Sequence, residues 1–94
     1  MRRAARIDAN QPEIVSALEA IGCTVMSLAA VGGGCPDLLI GYRFQTFILE
    51  VKDGSKAPSA RKLTPDQERF HAWWRGQVDT VATVEEAIVA VTAT

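Results

Sequence analysis

Gly34-Cys35-Pro36-Asp37-Leu38-Leu39-Ile40-Gly41-Tyr42-Arg43-Phe44-Gln45-Thr46-Phe47-Ile48-Leu49-Glu50-Val51-Lys52 is the stretch of chain on which the fold turns. Residues 38–40 and 46–51 are rich in Leu, Ile, Val and Phe and flank a polar and aromatic connection, which predicts two adjacent antiparallel strands. Side chains alternate along a strand, so Ile48, Glu50 and Lys52 share one face while Phe47, Leu49 and Val51 share the other. A connection of even length centred between Arg43 and Phe44 pairs positions whose numbers sum to 87, which sets Asp37 opposite Glu50. Arg43-Phe44 is poor chemistry for a two-residue type I′ turn, so a four-residue loop is expected, with the same pairing.

Opposed β-carbons in such a pair lie roughly 5 Å apart, and two carboxylates facing each other at that range repel. A cation held between them removes the repulsion, and hard oxygen donors suit Mg²⁺ or Mn²⁺. Lys52 adds an ammonium to the face that carries Glu50, so the hairpin offers a site for a divalent metal and a phosphodiester. Standing alone, Glu-x-Lys on a strand reads instead as a solvated face with a surface ion pair. The preceding Gly32-Gly33-Gly34-Cys35-Pro36 changes the context: it is a backbone suited to tight turning and close approach of a ligand, with Cys35 driven extended by Pro36. A flexible linker is the competing reading of those glycines.

Gly34-Cys35-Pro36-Asp37-Leu38, the strand ending in Glu50-Val51-Lys52, a helical Glu13 upstream and Gln67 downstream resemble the PD-(D/E)xK nuclease superfamily. Within it they are most similar to the VRR-NUC family of virus-type replication and repair nucleases, with the likeness running from Glu13 to Glu86. The resemblance implies a restriction-endonuclease-like α/β fold, with a small mixed β-sheet flanked by helices, in a single domain over residues 1–94. It implies that Asp37, Glu50, the backbone carbonyl of Val51 and Glu13 hold Mg²⁺ or Mn²⁺. Lys52 would orient or activate the attacking water, and Gln67 would stand near the site. The implied activity is that of a metal-dependent endodeoxyribonuclease in a stand-alone, phage-like form. Its expected substrate is branched DNA such as a Holliday junction, cut during replication, repair or recombination. A homodimer would present two sites to a four-way junction. Two readings from other classes compete: a non-catalytic junction-binding module of the same fold, and an interaction protein whose Trp73-Trp74 helix docks a replication partner.

The chain has 94 residues and a net charge of −1, which argues for one domain and against coating of nucleic acid by bulk attraction. Distribution matters more than the sum. Residues 43–75 hold seven basic side chains against four acidic ones, whereas residues 76–94 hold three acidic and none basic. The basic loop over residues 53–63 joins the hairpin to the next helix, and the basic arm over residues 1–10 is a second candidate for phosphate contact. Expected nucleic-acid contacts are therefore Lys56, Arg61 and Lys62, with Arg3 from the arm and Gly33 and Gly34 from the glycine loop. Arg2, Arg3 and Arg6 are followed by no apolar signal core and no stretch has the length of a membrane span. The expected compartment is the cytoplasm, of a bacterium or a phage-infected host. Cys23 and Cys35 are too few for a disulfide framework, and with one histidine they make no ordinary zinc site.

Elsewhere the pattern predicts alternating elements. Asn10 is placed to cap a helix over residues 11–20 with Ile14, Val15, Leu18 and Ile21 as its apolar stripe, and Gly22 ends it. Glu13 lies on the border of that stripe; favourable charge in a helix's first turn is its alternative role. A strand over residues 23–28 follows. Thr64-Pro65-Asp66-Gln67 is a capping box opening a helix to Arg75, with Gln67, Phe70 and Trp74 on one face. Capping is a sufficient role for Gln67. Trp73 and Trp74 read as core and dimer contacts rather than base-stacking platforms, and His71 as a helix-surface residue rather than a proton donor. A strand over residues 78–82 and a helix opened by Thr83 complete the order α-β-β-β-α-β-α.

Overall fold

The computed structural model describes residues 7–93. Arg2, Arg3 and Arg6, and with them the expected Arg3 contact, lie outside the described residues. The elements are α1 (Gln11–Ala20), β1 (Thr24–Ser27), β2 (Leu38–Tyr42), β3 (Gln45–Val51), α2 (Pro65–Trp73), β4 (Asp79–Val81) and α3 (Val84–Thr92). A short 3-10 turn over Pro58–Arg61 lies in the basic loop. The expected order of helices and strands is thus found, in a small α/β domain with a four-stranded mixed sheet and three helices. Strands run β1-β2-β3-β4 across the sheet, the first three antiparallel and β4 parallel to β3.

The register follows the pairing rule: Leu38 opposes Leu49 and Tyr42 opposes Gln45. The turn does not follow the expectation. Tyr42 and Gln45 are already paired, so the connection is the two residues Arg43 and Phe44, both at positive φ (51° and 64°). That conformation is costly for residues with a Cβ. The tight hairpin imposes it because a two-residue primed turn matches strand twist. The Arg43 guanidinium sits over the Tyr42 ring at 5.1 Å, a favourable contact at the strained position.

One sheet face carries the core. Leu38, Ile40, Leu49, Val51 and Val81 meet Ile14 and Leu18 of α1 and Ala87 and Val91 of α3, all buried. Truncating a leucine in such a packed cluster to alanine costs about 2–5 kcal/mol. The other face carries Glu50 and Lys52 and is covered at that corner by α2, which has no fully buried residue of its own. Trp73 is 68 % exposed and Trp74 half-buried, so the tryptophans form no part of the core, contrary to the expectation. They cluster with Phe70, which stacks on Trp74 with ring centres 5.6 Å apart. Helix α2 also ends two residues earlier than expected, with Trp74 as its C-cap.

Asn10 holds the expected N-cap position of α1, but its side chain makes no capping hydrogen bond. Its side-chain Nδ2 donates instead to the carbonyls of Lys52 and Ala82, both at 3.0 Å, and so ties the start of α1 to the ends of β3 and β4. The tether joins the Lys52 carbonyl to the Ala82 carbonyl, which also accepts from Gly54 N at 3.1 Å. Among the described residues, no helix is long and apolar enough to cross a membrane.

Candidate metal and phosphodiester site

The site is built where β2 begins and β3 ends. Asp37 lies one residue before β2, held on both sides: its N–H donates to Leu49 O (3.1 Å), and its carbonyl accepts from Leu28 N (2.8 Å). The regular β2–β3 ladder therefore stops at Leu38 and Leu49, and the Asp37 backbone is shifted by one residue from the direct opposition to Glu50 that the pairing rule predicts. Asp37 Oδ2 accepts from Val51 N at 2.7 Å, so its carboxylate takes the place of the next ladder bond. The N–H and C=O of one strand residue point to the same edge. The Val51 carbonyl accordingly faces the edge on which Asp37 stands.

Glu50 is 1 % exposed, a depth that alternation alone did not imply. Its Oε2 accepts from Gln67 Nε2 at 3.2 Å, and its Oε1 is buried without a hydrogen-bond partner. Burial first, then the neighbouring Asp37 carboxylate, push its carboxyl up to about 9, against the opposing pull of Lys52. With Glu50 out of water beside the half-buried Asp37, ionising both carboxyls is costly, and the pair favours keeping one proton. A divalent cation is the other way to meet the same electrostatic demand. The thiol of half-buried Cys35 is raised as well, by burial and then by the charges of Glu50 and Asp37.

Gln67 joins the parts. Its Oε1 accepts from Thr64 N at 2.9 Å, completing the capping box, and the same oxygen accepts from Lys52 Nζ at 2.7 Å. Its Nε2 holds Glu50. One side chain thus both caps α2 and contacts Lys52 and Glu50. Gly34 explains how α2 comes close enough: at φ +84°, it lies where a Cβ would fall 2.2 Å from the Asp66 carbonyl oxygen. The close approach that demands glycine at 34 is to the chain's own helix, while Gly33 is exposed and faces open space.

Asp37, Glu50, Lys52, Val51 and Gln67 are therefore brought together, but Glu13 is not among them. Glu13 is exposed and lines a groove with Asn10, Asp53, Gly54 and Glu85. The acidic side chain from the first segment whose charge reaches Glu50 is Asp8, half-buried just before α1. No periodicity marks Asp8, because it precedes the helix. His71 is the second residue the sequence reading missed. Its Nε2 lies 3.8 Å from Glu50 Oε1, the side chain is 18 % exposed, and burial followed by the charge of Lys52 lowers its affinity for a proton. A signal was present: His71 stands four residues after Gln67, on the same helix face. In the basic loop Lys56 and Lys62 are exposed and Arg61 is half-buried, with Asp53 near Lys56 and Arg61.

Two carboxylates, one with an orphaned buried oxygen, and a main-chain carbonyl on the same edge fit a hard divalent ion that keeps several of its waters. Among the described residues, no group of three or more His, Cys, Asp or Glu side chains is gathered so as to hold a metal by itself. Comparison with protein-family models, curated proteins and solved structures finds no match for this chain.

Proposed function

We propose that the chain is a metal-dependent endodeoxyribonuclease of the VRR-NUC type with a restriction-endonuclease-like fold. The observation that carries this reading is Glu50: a carboxyl buried beside Asp37, hydrogen-bonded to Gln67, with one oxygen lacking a partner. Maintaining an acidic pair out of water is unfavourable for folding, and a structural role would be met better by an apolar residue. Asp37, Glu50 and the Val51 carbonyl would hold Mg²⁺ or Mn²⁺, which when bound polarises a phosphodiester and acidifies a coordinated water. Lys52 is fixed by Gln67 rather than left to swing, so its ammonium can orient the attacking water and offset charge developing on phosphate. Lys56 and Lys62, exposed on the connection that follows β3, are available to phosphates further along a strand.

The substrate in this proposal is branched DNA, and the acting form is a homodimer in the cytoplasm. Exposed Trp73 beside Phe70 and Trp74 supports a surface that another chain covers. That same cluster favours the second reading, in which α2 docks a protein partner. Four-way, forked, single-stranded and linear DNA incubated with Mg²⁺, Mn²⁺ or EDTA separate the readings on one gel. Cleavage that needs the metal and prefers branched DNA is expected. Binding without cleavage in either metal would leave the junction-binding module, and no DNA affinity at all would leave the docking protein.

A further inference from the structure

We infer that Glu50 Oε1 and His71 Nε2 are two ligands of one cation, and that the site consequently takes a transition ion such as Mn²⁺ in preference to Mg²⁺. This rests on the nuclease reading and names the ion it uses. Both atoms are buried and neither has a hydrogen-bond partner, although they face each other at 3.8 Å. That separation is too long for a direct hydrogen bond. Two donors about 2.1 Å from one ion stand roughly 3.0–3.4 Å apart at right-angled or tetrahedral geometry, so a closure of about half an ångström seats an ion between them.

The surroundings direct both atoms to this point. Gln67 Nε2 engages Oε2 of Glu50, which leaves Oε1 to His71. Gln67 and His71 are one turn apart on α2, so the helix that positions Glu50 also carries the imidazole. Asp37 Oδ2 is engaged with Val51 N, and the other oxygen of that carboxylate, the Val51 carbonyl and water would complete the ligand set. Carboxylates alone suit Mg²⁺, whereas an imidazole nitrogen shifts preference toward first-row transition ions.

His71 is the only histidine of the chain, which allows a test without any substitution. Protein labelled with ¹⁵N at histidine alone is loaded with Mn²⁺ and examined by pulsed electron paramagnetic resonance. Hyperfine coupling that changes from a ¹⁴N to a ¹⁵N pattern on labelling is the expected result. Calorimetric titration should show Mn²⁺ binding weakened about tenfold in His71→Gln while Mg²⁺ binding changes by less than about threefold. Mn²⁺ that binds wild type, is lost in Glu50→Gln and shows no nitrogen coupling overturns the role of His71 and leaves the nuclease reading standing. Wild-type protein that binds neither ion overturns both.

Discussion

Replacing Glu50 by Gln is expected to stabilise the metal-free protein, increasingly so as pH rises. The Glu50 carboxyl moves from an ordinary value of 4.5 to about 9 on folding, through burial and the nearby Asp37. Between these values the folded protein holds a proton that the unfolded chain has already released, so unfolding becomes easier as pH increases. The stabilising contribution is fully present below the unfolded value and is lost as pH climbs toward the folded one. Each pH unit in the window is worth about 1.4 kcal/mol. Going from pH 5 to pH 7 therefore removes about 3 kcal/mol from wild type, or roughly 10–20 °C of Tm in a domain of this size. Gln at this position neither binds nor loses the proton and still offers an oxygen to Gln67 Nε2. The assay is thermal or urea unfolding of both proteins in EDTA at pH 5, 6, 7 and 8, reading the difference between them so that other titrations cancel. Mn²⁺ should then narrow the gap by stabilising wild type alone. A difference that stays constant across the pH series would refute the claim that Glu50 is folded in its protonated form.

Gly34→Ala should lower stability by about 2 kcal/mol or more, because it adds a Cβ against the Asp66 carbonyl at a positive φ; thermal unfolding reads the loss. Asn10→Ala removes both tethers to Lys52 and Ala82 and should cost about 1–3 kcal/mol in a urea titration. Asp37→Asn and Lys52→Ala should each reduce cleavage by roughly 10²-fold or more while junction binding survives in a mobility-shift gel. Undiminished cutting in both variants would remove the assignment of the site.

Local chemistry made much of this fold legible. Thr64 and Gln67 form their capping box wherever α2 packs, and the apolar alternation through Phe47, Leu49 and Val51 sets which face of β3 enters the core. The hairpin register was also readable, since any even-length connection about Arg43 and Phe44 gives the same pairs. The length of the turn was not, because strand twist overrode the preferences of two residues ill suited to positive φ. Asn10 misled for a related reason: its amide has a local use at the helix start and a distant one at two strand ends, and only packing decides between them. Asp8 and His71 reach Glu50 through tertiary placement, whereas Glu13, legible as a helical carboxylate, turns to a different groove.

Helix α2 carries both tryptophans of the chain at its last turn and cap, outside the core that α1 and α3 build with the sheet. Intrinsic fluorescence is consequently a private reporter of this one helix. Circular dichroism follows the whole backbone, so the two signals measure different events wherever α2 peels from the sheet before the domain melts. An ion bound at Glu50 and His71, as inferred above, would then register in tryptophan emission with no dye attached, from a helix whose contacts to the sheet include those side chains.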